Sequence, residues 1–317
     1  MNPEKKPLVI IAGPTAVGKS AFAVALARRI NGSVISADSM QVYRGMDIGS
    51  AKITLAEMQG IPHYLIDVLE PDEEFHVAKF QALAKEALDT IVSQGRIPIL
   101  CGGTGFYIQA LLYDISFTEQ EDNPQLRNDL TAFYEAHGAE ALHQKLEGVD
   151  PDAAAAIPFQ NVKRVMRALE FYAQSGQRIS EHNASERQKP PAYHARYFVL
   201  TEPRDRLYEK INERVDAMME QGLLAEVQAL KERGFTRTDV AMQGLGYKEL
   251  FAFLEGDCTL ETAVYTIKRD SRHFAKRQLT WFKREHDVTW LAKEDYDYDN
   301  NRILEQMINY LKQDKII

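Results

Sequence analysis

Lys19 and Ser20 close an unbroken G-x-x-x-x-G-K-[ST] string, Gly13-Pro14-Thr15-Ala16-Val17-Gly18-Lys19-Ser20. Its chemistry is anion capture. A glycine-rich turn between a strand and a helix aims several backbone N–H groups, and the positive end of the helix, at one point. Lys19 adds a full positive charge there, and the Ser20 hydroxyl is a ligand type suited to Mg²⁺. The apolar run Leu8-Val9-Ile10-Ile11-Ala12 precedes the string, and an Ala- and Leu-rich stretch from Ala21 to Ile30 follows it. The required strand and helix are therefore both expected, and with them a bound di- or triphosphate. The string does not say whether that phosphate belongs to a nucleotide or is a leaving group on another molecule.

Asp38 ends the next apolar run. A carboxylate there can take a proton from a substrate or hold Mg²⁺ through water, although aspartate at a strand end is as often a turn residue. Tyr64-Leu65-Ile66-Asp67 is the only comparable run, and Gly102-Gly103-Thr104 closes the fourth strand candidate without a carboxylate. A phosphate-loop NTPase usually carries a second aspartate to help hold the metal, so the pattern tilts away from a motor or switch ATPase. Thr104 and the N–H groups near it are suited to hydrogen-bond a substrate, unless they form only a strand–helix turn.

The elements that must position these groups alternate. Strands are expected at 8–12, 33–37, 63–67 and 97–101, with helices at 19–30 and 77–94. That order predicts an α/β fold: a phosphate-loop-type parallel sheet with helices on both faces. Ligands of such sheets bind at the carboxyl ends of the strands. From Asp114 to Pro191 the pattern is helical, with Pro124, Pro151 and Pro158 as starts or breaks and Gln188-Lys189-Pro190-Pro191 as a linker. A strand at 195–200 then returns to the sheet. The expected organisation is a discontinuous core, 1–113 and 195–317, carrying an all-helical insertion at 114–194. Within the mainly helical stretch 203–281, Pro203 suits a first helical turn, and Leu207, Ile211, Val215 and Met218 form one apolar stripe with Arg214 at its edge. A charge turned toward the core side there needs an anionic partner. The last twenty residues read as merely polar.

The chain has 317 residues, 45% hydrophobic and 26% charged, which is soluble globular composition. Its apolar runs are a handful of residues long, so no membrane span is expected. The polar stretch 1–7 resembles no signal peptide. Two distant cysteines, Cys101 and Cys258, fit a reducing cytoplasm and build no zinc site. The net charge of −8 is unevenly spread. Lys268, Arg269, Arg272, Lys276, Arg277, Lys283 and Arg284 stand against Asp270 alone, and Lys163, Arg164 and Arg167 form a second cluster. Helical spacing puts Lys268, Arg272 and Lys276 on one face, a candidate phosphate-contacting stripe; a solvated charged face usually mixes signs. These residues leave three readings open. They are an ATP-dependent small-molecule kinase, a transferase that carries a group from a diphosphate ester to a nucleic acid, and an RNA-binding protein with a regulatory nucleotide site.

Longer strings narrow the choice. The phosphate loop together with Ile35-Ser36-Ala37-Asp38-Ser39-Met40-Gln41-Val42-Tyr43-Arg44-Gly45-Met46-Asp47-Ile48-Gly49-Ser50-Ala51-Lys52 closely resembles the bacterial tRNA dimethylallyltransferases. So do Gly95-Arg96-Ile97-Pro98-Ile99-Leu100-Cys101-Gly102-Gly103-Thr104, Arg167-Ala168-Leu169-Glu170, Gly244-Leu245-Gly246-Tyr247 and Ala275-Lys276-Arg277-Gln278-Leu279-Thr280-Trp281. The likeness runs over essentially the whole chain. It departs only in Ser20, where threonine is commoner, and Cys101, where a valine-like residue is usual.

This resemblance implies transfer of a dimethylallyl group from its diphosphate to N6 of the adenosine just 3′ of the tRNA anticodon, in a cytoplasmic enzyme for which a monomer suffices. It implies that the loop from Gly13 to Ser20 holds a leaving diphosphate with Mg²⁺ on Ser20, that Arg214 contacts the diphosphate, that Asp38 is the general base and that Thr104 positions the base. It implies tRNA contacts from Asp38, Ser39, Met40, Gln41, Thr104, Arg127, Lys163, Arg164, Val165, Met166 and Arg167, with Arg272, Lys276 and Arg277 adding the C-terminal basic segment. Adenylate dimethylallyltransferases, which prenylate free nucleotides, share the loop but have no need of the insertion or that basic segment.

Overall fold

The computed structural model describes residues 5–117 and 123–317. The first part alternates β1 (Pro7–Ala12), α1 (Lys19–Ile30), β2 (Gly32–Ala37), α2 (Leu55–Met58), β3 (His63–Tyr64), α3 (Val77–Ser93), β4 (Ile97–Gly102) and α4 (Gly105–Leu112). Four helices follow: α5 (Pro124–Val149), α6 (Pro151–Ala156), α7 (Val162–Ser175) and α8 (Ile179–Arg187). The chain then returns through β5 (His194–Thr201), α9 (Arg204–Glu220), α10 (Leu223–Glu232), α11 (Tyr247–Leu254), α12 (Leu260–Phe282), β6 (Val288–Ala292) and α13 (Asn300–Gln313).

The described strands form one parallel sheet in the order β3-β2-β4-β1-β5-β6. A parallel strand with helices on both faces must be apolar on both, and Leu8, Val9, Ile10 and Ile11 are completely buried. Phe22, Leu26 and Ile30 of α1 join Ile303, Met307 and Leu311 of α13 in a core cluster with Ile11, Phe198 and Leu200 of the sheet. Elsewhere in the core, Phe80 of α3 stacks on Tyr107 of α4 at 4.4 Å, with Phe75 and Tyr43 edge-on beside them.

Two compact units result, Met1–Leu112 with Pro191–Ile317, and Tyr113–Pro190. The second has its own core of Leu142, Leu146, Ala153, Val165 and Ala168. Pro124 and Pro151 begin helices there as expected, and Gly138 (φ 83°) breaks the long α5. Asp150, buried, accepts from Ala153 N–H (3.0 Å), Ser180 N–H (3.0 Å) and the Ser180 hydroxyl (2.6 Å), tying α6 to α8.

The structure corrects four expectations. The strand expected at 63–67 stops at Tyr64, because Leu65 (φ 63°) and Asp67 (φ 53°) turn left-handed. The helical unit ends at Pro190 and not at 194: Ala192 N–H donates to Leu112 O (2.8 Å) and His194 N–H to Lys6 O (2.9 Å), which joins them to the sheet unit. Pro203 stands just before α9, not inside its first turn. The polar-looking C-terminus contains α13, whose Ile303, Leu304, Met307 and Leu311 bury one narrow stripe, and β6 was not expected at all.

Candidate active site

Register brings the candidate residues to one level. Ala12 pairs with Gly102, and Gly102 with Ala37, so β1, β4 and β2 end together and deliver Gly13, Gly103 and Asp38 side by side. Small residues are obligatory here. A Cβ on Gly102 would lie 2.1 Å from Ala37 O, and one on Gly13 (φ 149°) would lie 2.5 Å from Leu200 O. Beyond Gly13 the loop turns left-handed at Ala16 (φ 64°) and Gly18 (φ 92°), and α1 begins at Lys19. Its first-turn N–H groups then lack helix partners, which is what makes this end an anion cradle.

A cavity of about 1130 Å³ opens over the loop, lined among others by Thr15, Lys19, Ser20, Asp38, Arg214 and Phe274. Lys19 donates from Nζ to Pro14 O (2.8 Å). Burial lowers its pKa to about 8, with the nearby Arg214 charge acting in the same direction and the Asp38 carboxylate opposing. Arg214 comes from the middle of α9; burial lowers its pKa too, against the pull of Asp38. It makes no hydrogen bond or salt bridge to the described residues. Two desolvated cations therefore stand near Asp38 in one cavity, a setting that suits an anionic ligand. Cys101, at the rear wall, is held as a neutral thiol because burial pushes its pKa up to about 12.

Asp38 is both a turn residue and a cavity carboxylate. Its Oδ1 accepts from Met40 N–H (2.8 Å) and Gln41 N–H (3.3 Å), while Oδ2 makes no hydrogen bond to the described residues. The turn thus orients the carboxylate and leaves one oxygen for a substrate. Gln41 is committed internally: its Oε1 accepts from Ser36 Oγ (3.2 Å) and its Nε2 donates to Ala51 O (3.2 Å). Ser39 and Met40 are half-buried in the same turn. Thr104, half-buried, stands one residue past the lining Gly103, its N–H donating to Ala37 O (3.3 Å).

A residue that sequence reasoning missed binds these loops together. Gln278 of α12, buried, accepts from Thr15 N–H through Oε1 (2.8 Å) and donates from Nε2 to Gly103 O (3.0 Å). One amide thus spans the turns after β1 and β4. Its Nε2 lies 2.2 Å from where a Gly103 Cβ would be, which explains that glycine. No local pattern marks a lone glutamine for this work.

The structure also sorts the basic residues. Lys268 pairs with Asp216 of α9 (2.6 Å), and Arg272 donates to Asn212 of α9 (2.6 Å). The counter-groups missing from the basic segment itself are therefore supplied by another helix, and this part of the stripe faces protein. Lys276 and Arg277 are exposed. Within the helical unit, Lys163, Arg164 and Arg167 are exposed on α7 without ion pairs to the described residues. Val165 is a correction: its side chain is wholly buried in that unit's core, because it falls on the opposite face of α7, and it cannot touch a partner. Met166 packs partly against the same core. Arg127 is forked onto Glu170, Nε to Oε1 at 2.7 Å and Nη2 to Oε2 at 3.0 Å.

Mg²⁺ was expected on Ser20. The Ser20 hydroxyl is exposed on the cavity wall in the first turn of α1, with the Asp38 carboxylate on the same wall. Among the described residues no cluster of three or more His, Cys, Asp or Glu forms a protein cage. This donor set fits an ion bound through one or two side chains, water and substrate phosphates, the usual habit of Mg²⁺.

The chain is similar to known proteins over most of its length. The family model described as IPP transferase matches residues 41–285. A tRNA dimethylallyltransferase of Lachnoclostridium phytofermentans is 55% identical over 312 residues, spanning 98% of this chain and 99% of the relative. One from Bacillus subtilis is 48% identical over 290 residues, 92% of each. Among solved structures, a full-length tRNA isopentenylpyrophosphate transferase from Bacillus halodurans aligns with a TM-score of 0.73 at 45% identity over 98% of both chains. A eukaryotic dimethylallyltransferase acting on tRNA aligns with a TM-score of 0.84 at 29% identity, over 97% of this chain and 80% of that one.

Proposed function

The chain belongs to the IPP transferase family, and from that premise we propose that it transfers the dimethylallyl group of dimethylallyl diphosphate to N6 of the adenosine 3′-adjacent to the anticodon of tRNA, releasing diphosphate. The observation that carries this reading is the meeting, in one cavity, of a phosphate loop, two half-buried, desolvated cations and a carboxylate with a free oxygen.

The loop N–H groups and Lys19 cradle the diphosphate, and Arg214 reaches it from α9. As the allylic C1–O bond breaks, its electron pair passes to the departing diphosphate oxygen, where these groups neutralise the developing charge. The N6 lone pair forms the new bond to C1. That lone pair is delocalised into the adenine ring, so removal of the N6 proton assists the attack; Asp38 accepts that proton. Ser20 would hold Mg²⁺, which would supply further charge neutralisation there. The adenosine reaches Asp38 only if swung out of its stack, as for other enzymes acting on a base. Thr104 positions it, and Ser39 with Met40 borders it. Lys163, Arg164 and Arg167, with Lys276 and Arg277, contact tRNA phosphates.

The proposed enzyme works as a monomer, and the cytoplasm is where the RNA substrate resides. No described helix is long and apolar enough to cross a membrane. The basic residues on the helical unit favour tRNA over a free nucleotide as acceptor. The test is incubation with labelled dimethylallyl diphosphate and an anticodon stem-loop. Label entering the RNA is the expected result. Hydrolysis of ATP with no carbon transferred would overturn the reading.

A further inference from the structure

Glu226 of α10 is tied to a loop on the cavity wall. Its carboxylate accepts from three successive backbone N–H groups, Asp47 (2.9 Å), Ile48 (2.7 Å) and Gly49 (3.1 Å), and from the Tyr247 hydroxyl (2.7 Å). Three consecutive amides converging on one point form an anion-binding nest. Here the nest is filled by the protein's own side chain. Tyr247, at the start of α11, is fully buried, and its ring closes the other side: a Cβ on Gly49 would lie 2.6 Å from it. Burial, reinforced by the Glu226 charge, raises the Tyr247 pKa and keeps the phenol a donor.

The loop has no regular element to hold its shape. Between β2 and α2 the chain forms neither helix nor strand, only one isolated bridge from Tyr43 to Leu69. Side-chain tethers do the work. Lys52 donates to Tyr43 O (2.7 Å) and pairs with Asp47 (2.6 Å) and Asp67 (2.5 Å), while Gln41 reaches Ala51 O. Asp67 and the backbone bonds of Val68 N–H to Val42 O (2.9 Å) and Arg44 N–H to Leu69 O (2.9 Å) hold its first half from outside, and Glu226 holds 47–49. The loop matters because Asp47, Ile48 and 50–54 line the same cavity as Ser20, Ala21 and Val24 of α1. Ala21 and Val24, one helical turn on from the phosphate-loop end of α1, line that cavity as well. Ile48, Ala51 and Ile53 supply apolar wall in that cavity.

We propose that Glu226, braced by Tyr247, is a positioning residue for the prenyl diphosphate. It holds the loop from 47 to 54 at the distance that encloses a short allylic tail. The inference rests on the proposed function and adds the feature that sets the tail's fit. The charge-assisted hydrogen bonds of the half-buried Glu226 are the strong kind, so their loss frees the loop without touching Asp38 or the phosphate loop.

The experiment measures label transfer to the stem-loop by the wild type, Glu226→Gln, Glu226→Ala and Tyr247→Phe, with steady-state constants for both substrates. Glu226→Gln is nearly isosteric but turns an NH₂ toward the loop amides. The expected result is a KM for dimethylallyl diphosphate raised about ten-fold in both Glu226 variants and about three-fold in Tyr247→Phe, with kcat within about three-fold. The stem-loop KM stays unchanged, and the ratio of kcat/KM for geranyl over dimethylallyl diphosphate rises. An unchanged prenyl diphosphate KM, or equal rises in both KM values, overturns the inference. If Glu226→Ala does not fold, Tyr247→Phe, which removes a single hydroxyl, still decides. Wild-type protein that transfers no label refutes the function; variants that match an active wild type refute only the role of Glu226.

Discussion

The cavity at the strand ends and the basic face of α7 use charge in opposite ways. In the cavity Lys19 and Arg214 are desolvated, their pKa values lowered by burial, and held by the register of three strands and by Gln278. On α7, Lys163, Arg164 and Arg167 project into solvent from a helix whose other face fills a separate core. A desolvated charge acts strongly on one ligand atom in one geometry; a solvated one acts weakly on any phosphate within reach. On the proposed function, chemistry belongs to the first region and recognition of a polyanion to the second.

This contrast can be broken by single changes, and the largest effect is expected at Asp38. Asp38→Ala should lower kcat by roughly 10²–10⁴ while tRNA affinity, measured by filter binding, stays nearly intact. A variant with normal turnover would remove Asp38 from the reaction. Next comes Arg214→Ala, for which the prenyl diphosphate KM should rise by about ten- to a hundred-fold, since a buried cation facing the anion is lost. If the change appears only in tRNA binding, Arg214 belongs to the other region.

The triple replacement of Lys163, Arg164 and Arg167 by alanine should weaken tRNA binding by about ten-fold at moderate salt. The slope of log affinity against log salt should flatten by about two, and kcat at saturating tRNA should hold. A slope equal to wild type would make the patch structural. The smallest effect is reserved for Arg127→Ala. Glu170 is buried and loses its fork, but Arg127 is about two-thirds exposed, so water screens the pair (side-chain exposures 66% and 8%). A stability loss of about 1 kcal/mol is expected, seen as a lower melting midpoint with unchanged kcat. Loss of tRNA affinity without loss of stability would assign Arg127 to recognition instead.

What could be read early and what could not follows from distance along the chain. The phosphate loop is a contiguous string whose strand, turn and helix are each local signals, and the structure has all three as expected. Asp38 is visible at a strand end, yet its level with Gly13 depends on pairings between β2, β4 and β1. Gln278 and Glu226 each act on loops more than 170 residues away, and a lone Gln or Glu on a helix looks like surface. The partners of Lys268 and Arg272 were hidden for the same reason, because Asp216 and Asn212 lie on a different helix. In α13 the buried stripe is only one residue wide in places, so polar neighbours hid it.

By itself, the order of residues determined the anion cradle, the α/β alternation and the separate helical insertion, because each depends on hydrogen bonds and periodicities spanning a few residues. Only the tertiary structure decided which cations are buried, which oxygen of Asp38 is free, and which distant side chains hold the cavity loops. Those properties arise from parallel strands pairing in one register and helices packing across it, contacts that no short window of sequence contains.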